Sequence, residues 1–248
     1  MRKNIIDVSE WQGDINFEEA KKEIDGVIIR VGYGKGHPDA WGVANLQKAI
    51  AAGLQYIGVY WFSYATNRAE ARKEAEYCLE QIRGFEDKIN LGVYFDFEED
   101  SIAWMENCHV EPEKDLITGI FEAFCGRISE EGLDAGYYAN YSNYRAYLSP
   151  EKLRAYRFWF AWWTEEDLPD IDDIFLHQYD SEGRIKGISG AVDLNEMEAD
   201  GSPIDQYITV KDVVRGIWRG DFGNGEARKE NLYNYFQKLV NEGRPEEC

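Results

Sequence analysis

A chain of 248 residues, 44% hydrophobic and 30% charged, has room for one large folded domain and a small appendage. Its net charge of -20 excludes the basic footprint that nucleic acid requires and opposes attraction to an anionic membrane surface. Three His and four Cys, spread along the chain, form neither a zinc spacing nor a paired-cysteine motif, so no zinc site is expected, and no phosphate loop or dinucleotide fingerprint calls for a cofactor. In chain order, Ile5 to Val8 reads as a strand, Phe17 to Glu23 as a short helix, and Gly26 to Gly32 as a buried strand bounded by glycines. Val43 to Ala52 reads as a helix stopped by Gly53, and Tyr56 to Tyr64 as a third strand. Arg68 to Arg83 follows as a helix, with Asn67 as its cap and Gly84 past its end. Leu91 to Glu98 is a fourth strand, Glu113 to Glu131 a helix behind Pro112, and Ala135 to Ala139 a fifth strand. A broken helical stretch, Tyr144 to Tyr156, precedes strands at Phe158 to Trp163, Ile174 to Tyr179 and Ala191 to Asn195.

Eight strands alternating with helices imply an α/β fold, a parallel (β/α)8 barrel of the TIM type. The segments joining the last three strands are too short for full helices, so the barrel should be irregular there. An open doubly wound sheet is the alternative, but it usually keeps its helices to the end. Function in such a barrel gathers at the C-terminal ends of the strands. Four acids fall there: Asp7 ends the first strand, Asp96 and Glu98 end the fourth, and Asp193 lies in the last, which closes against the first. Side chains alternate along a strand, so Asp96 and Glu98 share a face while Phe95 and Phe97 point toward the covering helices. Crowded carboxyls raise one another's pKa and keep a proton near neutral pH. A protonated carboxyl beside an ionised one is what glycosidic bond cleavage uses. Eight Trp and sixteen Tyr supply flat rings for a sugar cleft as well as for the core. A magnesium or calcium site built from the same oxygens stays open as an alternative.

Several motifs, in order, resemble glycoside hydrolase family 25, the Chalaropsis-type lysozymes, over roughly residues 4 to 197. Asp7-Val8-Ser9-Glu10-Trp11-Gln12-Gly13 is similar to the family's opening D-x-S-x-x-Q-G. Ile29 to Gly32, Gly58-Val59-Tyr60-Trp61-Phe62, Phe95-Asp96-Phe97-Glu98 and Gly136 to Asn140 resemble its second to fifth strands. Gln178-Tyr179, Gly187-Ile188 and Val192 to Asn195 resemble its closing block. The resemblance implies hydrolysis of the β-1,4 bond between N-acetylmuramic acid and N-acetylglucosamine in bacterial peptidoglycan. It implies Glu98 as proton donor, Asp96 beside the 2-acetamido group, Asp7 and Asp193 completing the cluster, and Tyr60, Tyr138 and Gln178 as substrate contacts. Trp61 replaces a His frequent in the family. It should point away from the face of Tyr60, with little effect on catalysis.

Residues 1–202 are thus read as the catalytic barrel and residues 207–244 as a small helical module. Gly223-Asn224-Gly225-Glu226-Ala227-Arg228-Lys229 and the amphipathic run Tyr235 to Val240 are similar to wall-binding repeats of phage lysozymes. From Tyr207 onward seven basic residues balance seven acids, leaving the whole excess charge on the barrel. A unit this small has little core, which favours docking or self-association. The first residues lack the apolar run of a signal peptide, so synthesis in the cytoplasm is expected, as for a phage or prophage endolysin acting on the cell wall. Two other functions stay open: a catalytically inactive barrel that binds wall sugars, and a chitinase-like glycosidase. The chitinase signature needs further acids upstream on the fourth strand, where Gly92 and Tyr94 stand.

Overall fold

A computed structural model describes residues 2–164, 168–198 and 228–234. The chain divides into two units, Met1–Ile204 and Asp205–Cys248. In the second, residues 228–234 are helical. The rest of the expected module, with its Gly223–Gly225 run, lies outside the described residues.

The first unit is a closed barrel. Its strands are β1 (Arg2–Val8), β2 (Gly26–Tyr33), β4 (Tyr56–Phe62), β5 (Gly92–Asp96), β6 (Ala135–Asn140), β7 (Arg157–Ala161), β8 (Ile174–Gly183) and β9 (Val192–Glu198). A two-residue strand, β3 (His37–Pro38), folds back on β2. Pairing runs in order from β2 through β9, omitting β3, and β1 closes the ring by bonding to both β2 and β9. The irregular eight-stranded barrel expected from the sequence is therefore present. The expectation of a fully parallel sheet is corrected, because β9 is antiparallel to both β8 and β1. A parallel crossover takes a dozen residues or more. Residues 184–191 are too few, so the chain turns back as a hairpin.

The helices are α1 (Phe17–Ala20), α2 (Gly42–Ala52), α3 (Arg68–Gln81), α4 (Glu99–Asn107), α5 (Lys114–Glu130), α6 (Tyr141–Tyr147) and α7 (Pro150–Leu153). Sequence reading missed α4 and ran the fourth strand on to Glu98. The strand stops at Asp96, and Glu98 is the N-cap residue of α4, its amide donating to Ser101 Oγ at 3.1 Å. Among the described residues no helix follows β7 or β8.

Two apolar layers hold the unit together. Outside the strands, α5 buries Ile117, Ile120, Phe121, Phe124 and Ile128, the spacing of one helical face. Phe121 and Phe124 meet Phe95 at ring distances of 5.0 and 4.7 Å. Trp61 is fully buried in this outer layer, away from the barrel interior that holds Tyr60. Inside, Trp159 plugs the barrel, taking Tyr60, Tyr94 and Tyr138 edge-on at 5.8, 5.4 and 4.9 Å. The Tyr94 ring fits only because residue 136 is glycine: a Cβ there would sit 2.3 Å from it. This aromatic plug is the floor on which the polar groups of the mouth rest.

Candidate active site

All four predicted acids gather at the mouth above that floor. Asp7 is next to last in β1 and Asp193 second in β9, and the antiparallel register sets them directly opposite. The reversed β9 is what allows this, since the second residue of a parallel strand would lie at the barrel's other end. Asp96 ends β5, and Glu98 leaves it in an extended conformation (φ -122°).

The carboxyls form two hydrogen-bonded pairs, Asp7 with Asp193 and Asp96 with Glu98. Burial is the leading cause that raises all four. Burial and the adjacent Asp7 charge push Asp193 up to about 8. Burial lifts Glu98 to about 7, against the hydrogen bond to Asp96 and with help from the charges of Glu99 and Asp7. Asp96, 5% exposed, is raised by burial and then by Glu98. Each pair therefore holds a shared proton near neutral pH. Asp96 Oδ1 is buried with no hydrogen-bond partner.

Asp7 is braced differently. Its Oδ2 accepts from Gln178 Nε2 and Asn195 Nδ2, each at 2.8 Å. Both bonds favour the ionised form and oppose the effect of burial. Gln178 Oε1 accepts from Tyr138 Oη at 3.0 Å and Trp163 Nε1 at 3.1 Å, so donors on one side and a carboxylate on the other fix its amide. Asn195 Oδ1 accepts from Trp159 Nε1 at 2.7 Å, which ties the cluster to the aromatic plug. Of the three predicted substrate contacts, Tyr60 and Tyr138 belong to the floor, and Gln178 lies beneath Asp7 as its brace. The charges of Asp7 and Asp96 add to burial in raising the Tyr60 hydroxyl.

Sequence reasoning missed Asn195 and Arg30. The Arg30 guanidinium donates to Asp39 Oδ2 and Glu10 Oε1, both at 2.8 Å, and its charge eases the ionisation of Asp96. The signal for Arg30 was a charged residue inside an otherwise apolar strand. For Asn195 it was the two-residue spacing that puts it on the face of Asp193. Also missed was an aromatic rim. Trp11 (81% exposed) follows β1, Trp41 the β2–β3 hairpin, Trp104 lies on α4, Tyr141 opens α6, and Trp163 (54% exposed) follows β7. Each of these rings stands on a segment that follows the C-terminal end of a barrel strand, the end at which the acids lie. Such rings stack on the apolar faces of sugars. Among the described residues no set of three or more His, Cys, Asp or Glu is arranged to hold a metal ion.

A chain with this site resembles several solved structures. The modular autolysin LytC of Streptococcus pneumoniae is 25% identical, with a TM-score of 0.66 over 79% of this chain. This chain spans about half, 47%, of that autolysin's length. A bacterial lysozyme of Streptomyces coelicolor is 24% identical, with a TM-score of 0.68 over 79% of this chain and 92% of its own. The catalytic domain of endolysin ply40, from bacteriophage P40 of Listeria monocytogenes, is 20% identical, with a TM-score of 0.64 over 81% of this chain and 95% of its own. The last two likenesses speak for the fold alone. No curated relative matches the chain. The sequence profile of Glycosyl hydrolases family 25 matches residues 6–188, about three quarters of the chain, and the chain belongs to that family.

Proposed function

We propose that the protein is a muramidase that hydrolyses the β-1,4 bond between N-acetylmuramic acid and N-acetylglucosamine in bacterial peptidoglycan. The observation that carries this reading is the Asp96–Glu98 pair. One carboxyl keeps a proton near neutral pH, and beside it Asp96 Oδ1 is buried without a partner. Glu98 acts as general acid, passing its proton to the leaving O4 as the C1–O4 bond breaks. Asp96 Oδ1 accepts the acetamido N–H, which makes the acetamido oxygen a better nucleophile toward C1. The acetamido oxygen bonds to C1 as O4 leaves; water then attacks C1, the bond from C1 to the acetamido oxygen breaks, and the Glu98 carboxylate takes the water's proton, restoring the acid. The Asp7–Asp193 pair, with Asp7 braced by Asn195 and Gln178, supplies one negative charge near the developing oxocarbenium ion. Substrate contacts are assigned to Tyr60, Tyr138 and the exposed rim aromatics. Likeness to an autolysin solved with a synthetic peptidoglycan ligand supports the substrate class.

Residues 207–244 are assigned as the module that holds the enzyme on the wall, with self-association as a second use of the same surface. The place of action is the bacterial cell wall, as for a phage lysin. Purified walls test the central reading against an inactive sugar-binding barrel. The wild-type protein should clear a wall suspension and the Glu98→Gln variant should not. Binding without clearing by the wild type would leave the inactive barrel.

A further inference from the structure

Another carboxyl outside the acid cluster is buried as deeply as Asp7 and Asp96. Glu74 on α3 is 2% exposed, and burial raises it to about 8. Around it stand the Ser63 hydroxyl and the Tyr64 amide, which lower that value, with Glu70 raising it and Lys35 lowering it from farther off. Its Oε1 accepts the Tyr64 amide at 3.1 Å, while Oε2 is buried with no hydrogen-bond partner. Burying such a group costs stability, and an alanine or leucine would fill a helix face at less cost. The cost needs a counterpart elsewhere.

That counterpart is the loop 63–67, which leaves β4 beside the acids. Glu74 holds its start through Tyr64, and Glu70, one turn earlier, holds its end by accepting the Thr66 amide and hydroxyl, each at 2.9 Å. Ser63, next to Tyr64, donates its amide to the Asp96 carbonyl at 2.8 Å. The Ser63 carbonyl accepts from Ser101 Oγ at 2.7 Å, and that same Oγ accepts the Glu98 amide at 3.1 Å. One peptide unit and one hydroxyl thus join Glu74 to the main chain of Glu98. The Tyr64 ring, set by the same loop, meets Trp104 edge-on at 5.8 Å on the rim.

We propose that Glu74 is a positioning residue for Glu98, holding the acid's main chain in place through Tyr64, Ser63 and the Ser101 hydroxyl. This rests on the assignment of Glu98 as the acid. It makes the buried glutamate part of catalysis without contact with substrate. A small shift of the acid away from the glycosidic oxygen lowers turnover and leaves binding to the rim untouched.

The test measures kcat, KM and melting temperature on soluble peptidoglycan fragments for Glu74→Ala, Glu74→Gln, Ser101→Ala, the Glu74→Ala/Ser101→Ala double variant and Glu98→Gln. Glu74→Gln keeps an acceptor for Tyr64 and should stay within about threefold of wild type. Glu74→Ala and Ser101→Ala should each lower kcat by about 10- to 100-fold at unchanged KM. The double variant should be no worse than the weaker single variant, because both break one chain. If Glu74→Ala does not fold, Glu74→Asp, which withdraws the carboxyl from Tyr64, takes its place under the same criteria. Wild-type kcat in the position 74 or Ser101 variant, equal loss in Glu74→Gln and Glu74→Ala, or additive losses in the double variant each overturn the proposal. Wild-type turnover in Glu98→Gln would instead overturn the acid assignment, so the two failures are distinct.

Discussion

Replacing Glu98 with Gln should slow the enzyme and stabilise it at once. The loss follows from chemistry, since the amide has the shape of the acid but no proton to give, and general-acid help is worth about 10²–10⁴-fold. The gain follows from burial. Folding raises the Glu98 carboxyl from an ordinary 4.5 to about 7. Between those values the folded protein keeps the proton and the unfolded chain has lost it. The unfolded state then binds fewer protons, and stability falls as pH rises through that window. At about 1.4 kcal/mol per pH unit, the rise corresponds to at most about 3 kcal/mol. Gln does not titrate. The stability of the variant relative to wild type should therefore climb from pH 4.5 to pH 7 and level off above it. In a domain of this size that is a relative shift of roughly 6–12 °C in Tm between pH 4.5 and pH 8. Turbidity of a wall suspension reads the first effect and thermal melts at the two pH values read the second. The wild-type rate should also fall above about pH 7, as Glu98 loses its proton. Lysis at the wild-type rate, or a Tm difference independent of pH, would refute the reasoning.

Asp96→Asn should depress kcat and leave binding of soluble fragments largely intact, because the charge matters mainly in the transition state. Weakened binding at unchanged turnover, read by titration beside kinetics, would point to a ground-state contact. Asn195→Ala strips Trp159 Nε1 of its acceptor and Asp7 of one donor, at about 1–3 kcal/mol for each group left unpaired. Denaturant unfolding measures that loss, and an unchanged midpoint would remove Asn195 from the brace. Truncation near Pro203 should spare cleavage of short fragments and weaken action on intact walls, since linked modules raise local concentration. Undiminished wall pull-down by the truncated protein, together with a lower Tm, would make the tail a structural cap instead.

The barrel was legible because its strands are short apolar runs between turn signals, and that pattern fixes period and order. Asp7, Asp96 and Glu98 were legible for the same reason, each standing where an apolar run meets polar residues. The direction of β9 was within reach of the sequence too, since residues 184–191 cannot hold a crossover. The helix α4 was lost among acids at positions 98–100 that read as a strand end and loop. Those acids are suited to a helix N-terminus, where they meet its partial positive charge. The brace around Asp7 draws on β6, β7, β8 and β9, and no local pattern announces contacts between residues as distant as Asp7 and Asn195. Arg30 is visible as an oddity in an apolar strand, but its partner Asp39 lies beyond a hairpin. Glu74 is hidden more fully. It sits among the other charges of α3, and only the fold turns it inward.

The central claim is the identity of the bond cut. Peptidoglycan digested by the wild-type protein, reduced with borohydride and analysed by mass spectrometry, identifies every newly formed reducing end. The account predicts that the new ends are reduced muramic acid, and that none form with Glu98→Gln. New ends of reduced glucosamine, or no new ends at all, would contradict it.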